Sequence, residues 1–142
     1  MNDILEFQGP HRWLSNFWPA VIMLDGYVYP SVENAYQAAK LSPDQRDVFR
    51  LIRPGEAKRA AKGREPPDWV LRRVPVMRQL IEQKFMSGSN LGEMLLDTGD
   101  CKIVEGNRWG DQFWGVCNGK GCNTLGVLIM EQRTYLRSLI AC

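Results

Sequence analysis

Between residues 69 and 86 the apolar positions fall at helical spacing. Val70, Val74, Met77, Leu80, Ile81 and Phe85 share one stripe, which predicts an amphipathic helix that Pro75 kinks or divides in two. A second stripe, Leu125, Leu128, Ile129, Gln132 and Leu136, predicts a closing helix from residue 123 to about residue 139. Shorter helical stretches lie between and before them. In "SPDQ", Ser42 caps, Pro43 takes the first helical position and Gln45 follows three residues after the cap, predicting a helix through Val48, Phe49, Leu51 and Ile52. "EAKRAAKG" predicts a helix closed by Gly63, and Asn90 with Glu93 forms a capping box for "LGEMLLD".

The periodicity shortens towards two near the start of the chain. "ILEF" reads as a short strand, and "VIMLDGYVY" as a hairpin about Asp25-Gly26 that Pro30 ends. Ser31 then caps a helix that opens "SVENAYQAAK". Late in the chain "CKIVEG" reads as a strand, and "NRWGDQFWG" as a loop rich in aromatics and glycine. Strands are few and helices many, so the expected class is α+β, helix-dominated, with a small β element from the hairpin and the strand near 101–105. With 142 residues, 44% of them hydrophobic, and no repeat, low-complexity tract or linker, one domain over 1–142 is expected.

Charge narrows the function classes only modestly. A net charge of +2 is weakly basic and gives no dense patch of the kind dedicated nucleic-acid binders carry. No apolar run is long enough to span a membrane, and "MNDILEF" lacks the pattern of a signal peptide, so a cytoplasmic location is expected. Cys101, Cys117, Cys122 and Cys142 lack zinc-knuckle or thioredoxin spacing and are expected as free thiols, with no metal; Cys142 is a candidate reactive thiol without a role.

Four stretches are candidates for chemistry. On the opening helix Glu33 and Lys40, seven residues apart, share a face with Tyr36 and Gln37, and Ala35, Ala38 and Ala39 let other groups approach. Helix logic alone explains Glu33 as a complement to the helix dipole and Lys40 as its counterpart at the other end. Trp109 and Trp114 bracket Asp111 in the glycine-rich loop. Leaving such side chains in water costs about 2 to 3 kcal/mol each, so they are either core or the walls of a pocket for a flat ring. The stretch Asn118-Gly119-Lys120-Gly121-Cys122 precedes a helix and allows a phosphate reading, although it is no Walker A motif and, taken by itself, a flexible hairpin tip explains it better. Lys62 and Arg64 flank a helix-ending glycine, where two cations can converge on one anion, and "GPHRWLSNF" adds Asn16 in a loop.

"LSNFW", "YPSVENAYQAAK", "AKRAAKGR", "DW", "VMRQLIEQKF", "LLDTGD", "GDQFWG" and "GKGCNTLGVLIMEQR", in this order, resemble the NADAR, or YbiA-like, family, named for predicted handling of NAD and ADP-ribose. The resemblance covers nearly the whole chain. It implies a compact α+β domain that cleaves N-glycosidic bonds and needs no cofactor. The implied substrates are small and nucleotide-like: phosphoribosylamino pyrimidines of riboflavin biosynthesis, or alternatively ADP-ribosyl guanine in nucleic acid. A non-catalytic ADP-ribose-binding module is the alternative of a different class.

The resemblance implies Glu33 as base or oxocarbenium stabiliser and Asp111 as second carboxylate or, alternatively, as the group that grips the ribose hydroxyls. It gives Trp69 and Trp114 to the base, joined by Trp109, Tyr36 and Asn16 at the substrate, and Arg64, Lys62 and Lys120 to phosphate. A variant route opens the sugar to an imine on a buried lysine, with Lys40 and Lys62 as candidates. Between Glu105 and Asp111 this chain is one residue longer than the family pattern.

Overall fold

A computed structural model of the chain describes residues 2–141. Its elements run β1 (Pro19–Leu24), β2 (Tyr27–Ser31), α1 (Val32–Ala39), α2 (Pro54–Ala60), α3 (Trp69–Lys84), α4 (Asn90–Asp97), β3 (Gly106–Asn107), β4 (Val116–Cys117) and α5 (Thr124–Ile140), with 3-10 turns at Gly9–Leu14, Pro43–Gln45 and Asp47–Arg50. The class is α+β with helices dominant. Contacts gather into two compact units, one of residues Asn16–Lys84 and one of the described residues up to Ser15 and from Phe85 onward.

In the Asn16–Lys84 unit the hairpin forms as its turn residues require. Asp25 and Gly26 both take positive φ, 49° and 86°, which suits a two-residue turn with the strands' own twist. Ile22 pairs with Tyr29, and both are buried, while Val21, Met23 and Val28 point outward. Gln83 of α3 closes the hairpin's free edge: its Oε1 accepts from Met23 N–H at 2.7 Å and its Nε2 donates to Met23 C=O at 2.8 Å. Ser31 caps α1 as expected, its Oγ accepting from Asn34 N–H at 3.1 Å. Every residue of α1 is buried, so this helix is a core element and not a solvated face.

Two expectations in this unit are corrected. Residues 43–52 do not form one helix; they make two 3-10 turns, Pro43–Gln45 and Asp47–Arg50, and leave Val48 and Leu51 exposed. Tertiary hydrogen bonds outweigh local propensity here. Asn34 Nδ2 holds the carbonyls of Phe49 and Ile52 at 2.9 and 2.8 Å. Arg46 Nε is spent on the carbonyls of Ala38 and Leu41, both at 2.9 Å. In α3, Pro75 neither divides the helix nor ends it, and Val70 is exposed; Met77, Leu80 and Ile81 carry the buried stripe.

In the other unit the expected strands at "ILEF" and "CKIVEG" shrink to a parallel bridge between Ile4 and Ile103. Ile4 N–H donates to Lys102 C=O and Val104 N–H to Ile4 C=O, each at 2.8 Å. A second parallel contact, β3 with β4, was not anticipated. The cap of α4 is Ser89, whose Oγ accepts from Gly92 N–H, one residue before the expected Asn90. The α5 stripe is buried as its spacing predicts, and Gln132 Nε2 donates to Phe85 C=O at 2.9 Å. Cys101 and Cys117 are buried and Cys122 is exposed, all three as free thiols; Cys142 lies outside the described residues.

Candidate functional site

Glu33 sits in the first turn of α1, where the helix dipole favours its negative charge. Its backbone N–H donates to Asn16 C=O at 3.0 Å. Its Oε2 accepts from Gln37 Nε2 at 3.1 Å, one turn along the helix. The residue is 7% exposed and Gln37 4%. A carboxylate kept from water and held by a fixed donor is oriented before any ligand arrives, which suits it to stabilise developing positive charge.

Farther along α1 the chain assembles an aromatic and cationic wall. Tyr36 and Trp69, the first residue of α3, lie with ring centroids 5.3 Å apart. The Arg72 guanidinium stands 5.6 Å from the centre of Trp69, and Lys40 Nζ 5.5 Å from that of Tyr36. Lys40 is also paired with Glu65 at 3.2 Å. The Glu65 carboxyl is drawn below its usual range chiefly by its own backbone amide, and then by Lys40. That ion pair commits the Lys40 amine and ties the loop carrying Arg64 to the end of α1.

Two polar atoms on the residues bonded to Glu33 are left over. Asn16 Nδ2 donates to Met77 Sδ at 3.6 Å. Among the described residues, Asn16 Oδ1 and Gln37 Oε1 are the buried side-chain atoms without a hydrogen-bond partner. Each such group costs about 1–3 kcal/mol in a folded protein, so both call for an explanation.

The structure thus joins Glu33 to Asn16 and Gln37, and separately joins Tyr36 to Lys40 and Trp69 and Trp69 to Arg72; Gln37 and Arg72 had no role in the sequence reading. Lys62 and Arg64 are exposed beside Gly63, whose positive φ of 77° turns the chain after α2. The Lys40 side chain is 10% exposed and Lys62 lies at the surface; the most deeply buried amine of this unit is Lys84, 3% exposed, whose pKa burial lowers to about 7. Its place at the end of an amphipathic helix reads in sequence as a solvated cation, which is why it was missed.

The Asp111 loop belongs to the other unit and is built as a rigid turn. Asp111 Oδ1 accepts from the N–H groups of Phe113 and Trp114, at 3.0 and 2.9 Å. Asn107 clasps the Asp111 backbone from both sides, its Oδ1 accepting at 3.1 Å and its Nδ2 donating at 2.9 Å. The loop carbonyls of Phe113 and Trp114 then take the N–H groups of Thr124 and Leu125 at the start of α5. Gly115 is required because a Cβ there would strike Glu105. Trp114 is half-buried against Phe113, with centroids 4.9 Å apart, whereas Trp109 is 57% exposed.

These bonds favour the hairpin-tip reading of residues 118–122 over a backbone anion site. The N–H groups at the α5 start, which would have received the anion, are occupied by the loop. Asn118 and Gly119, with φ of 53° and 75°, form a hairpin tip closed by two Cys117–Lys120 backbone bonds, with Lys120 exposed upon it.

Comparison with known proteins places this geometry in a class. The family model of the NADAR domain matches residues 6–137, a span that runs through both units, and the chain belongs to this family. It is 35% identical over 130 residues to the N-glycosidase YbiA of Escherichia coli (strain K12), covering 86% of this chain and 79% of that protein. It is 35% identical over 143 residues to the N-glycosidase Npun_R5314 of Nostoc punctiforme, covering 93% and 90%. It is 37% identical over 134 residues to the riboflavin biosynthesis protein VVA0006 of Vibrio vulnificus; that match takes in 89% of this chain but 36% of the relative, so the chain spans about a third of its length. The NMR structure of E. coli YbiA matches with a TM-score of 0.83 and 31% identity, covering 99% of this chain and 89% of that one. Among the described residues no helix is long and apolar enough to cross a membrane.

Proposed function

We propose that this chain is an N-glycosidase that hydrolyses a ribosyl C–N bond, and that its substrates are phosphoribosylamino pyrimidines, intermediates of riboflavin biosynthesis. The observation that carries the reading is the buried Glu33 carboxylate, fixed by Gln37 and by the Asn16 backbone. Breaking a ribosyl C–N bond builds positive charge on the sugar. A carboxylate held in a water-poor place stabilises that charge and takes the proton of the attacking water. The relatives named N-glycosidases and riboflavin biosynthesis proteins support the bond and the pathway.

Trp69, in tilted contact with Tyr36 and with the Arg72 guanidinium near its ring, supplies the aromatic wall for the leaving base. Lys62 and Arg64 are the cations available to the substrate phosphate, because Lys40 is committed to Glu65. Asp111 and Trp114 enter this reading through the family resemblance, Asp111 as second carboxylate and Trp114 as a contact to the base.

The test is a product assay with a phosphoribosylamino pyrimidine and a guanine-ADP-ribosylated DNA oligomer side by side. Release of ribose 5-phosphate from the first, with the second left intact, is expected. Release of ADP-ribose from the second alone would replace the pyrimidine with ADP-ribosyl guanine. Binding of ADP-ribose without cleavage of either would make the chain a binding module.

A further inference from the structure

The two leftover oxygens on the residues bonded to Glu33 share an origin. Gln37 Nε2 faces a carboxylate oxygen and Asn16 Nδ2 faces a thioether sulfur. Both of those partners accept and neither donates, so each amide must present its nitrogen to the partner and turn its oxygen away. Asn16 Oδ1 and Gln37 Oε1 are thereby left buried and unbonded. Both belong to residues bonded directly to Glu33, Gln37 through its side chain and Asn16 through its backbone carbonyl. A native protein rarely leaves a buried carbonyl without a donor unless something else supplies one.

We propose that Asn16 Oδ1 and Gln37 Oε1 accept hydrogen bonds from the vicinal hydroxyls of the substrate's ribose, and that they make the protein selective for ribose over 2-deoxyribose. The donor set restricts the ligand. Asn16 Oδ1, Gln37 Oε1 and the Glu33 carboxylate are all acceptors. A phosphate group brings only acceptors and is repelled there, and an apolar group leaves both carbonyls unpaired. A diol brings two O–H donors. Losing one hydroxyl strands a buried carbonyl, and sites built to bond a hydroxyl reject the analogue lacking it far more strongly than apolar pockets reject a methylene. The identity of the sugar rests on the glycosidase reading; the need for donors does not.

The test is calorimetric binding of ribose 5-phosphate and 2-deoxyribose 5-phosphate to wild type, Gln37→Leu and Asn16→Leu, with hydrolysis of the phosphoribosylamino pyrimidine measured alongside. Wild type should favour ribose by about tenfold or more; the variant that loses the acceptor of the 2-hydroxyl should compress that preference to about threefold or less, and the variant that loses the acceptor of the 3-hydroxyl should weaken both sugars alike. Equal binding of the two sugars by wild type, no binding of either, or a preference that survives both substitutions overturns the proposal. Gln37→Leu also removes a donor from Glu33. Asn16→Leu keeps the backbone bond to Glu33 and decides the matter if Gln37→Leu does not fold: it must either compress the preference or weaken both sugars together, and a variant that binds both as wild type does overturns the proposal. Hydrolysis without a ribose preference overturns this inference and leaves the glycosidase reading standing. A ribose preference that depends on these residues, without hydrolysis, supports the inference and overturns that reading.

Discussion

Gln37 donates to Glu33 across one turn of a wholly buried helix, at 3.1 Å, and so sets which way both side chains face. The bond explains why Gln37→Glu should be far more damaging than its size suggests. A second carboxylate at hydrogen-bond distance makes it costly for both to ionise, so the pair would share one proton and titrate as a unit. Turnover near neutral pH should fall, and it should recover as pH rises and the shared proton leaves. A pH–rate profile checks this; a profile that drops by the same factor at every pH would contradict it.

Asn34 binds α1 to the segment after it. Asn34→Ala removes the donor to the Phe49 and Ile52 carbonyls and the Ser31 hydroxyl's partner, 2.5 Å away. Stability should drop by about 2–4 kcal/mol, read as a lowered urea midpoint with an unchanged slope.

Asp111 combines a structural duty with a proposed chemical one, and two substitutions separate them. Asp111→Asn keeps an oxygen for the Phe113 and Trp114 N–H groups, and Asp111→Ala does not. The alanine variant should lose about 1–2 kcal/mol of stability and the asparagine variant little. If the charge serves turnover, Asp111→Asn should melt like wild type and yet lose at least about tenfold in kcat/KM, roughly 1.4 kcal/mol of transition-state stabilisation. Wild-type kinetics in that variant would reduce Asp111 to a turn residue.

Lys84 should impose a pH dependence on stability. Burial lowers its pKa from 10.5 to about 7, so between those values the unfolded chain holds a proton that the folded chain lacks. Stability must therefore rise with pH across that window. The burial cost is full below pH 7 and gone above about 10.5, and at 1.36 kcal/mol per unit it amounts to several kcal/mol. Urea titrations of wild type and Lys84→Met at intervals from pH 6 to pH 10 check this, since only the difference between the two curves reports Lys84. A constant difference would contradict it.

How far the residues announced all this follows from where the information sits. The Asp25-Gly26 hairpin, the Ser31 cap and the α5 stripe depend on neighbours in sequence, and each formed as read. Residues 43–52 obey Asn34 and Arg46, partners from elsewhere in the chain, so local signals for one helix misled. The same holds at the site. Glu33, Asn16, Tyr36, Lys40 and Trp69 were all candidates in the sequence, and the structure adds their local contacts. Gln37 was visible on the right face but had no stated task, because its task appears only once its nitrogen is seen to be spent on Glu33. Residues 118–122 are a related case: nothing local reveals that loop carbonyls already take the N–H groups of Cys122, Asn123, Thr124 and Leu125.

The central claim is that the Glu33 carboxylate drives ribosyl C–N cleavage. The most direct measurement is single-turnover release of ribose 5-phosphate from a saturating phosphoribosylamino pyrimidine by wild type and Glu33→Gln, with substrate affinity measured for both. The account predicts that the glutamine variant binds within a few-fold of wild type and cleaves at least about a hundredfold more slowly, a barrier change of roughly 2.7 kcal/mol. Equal cleavage rates for the two proteins would contradict it.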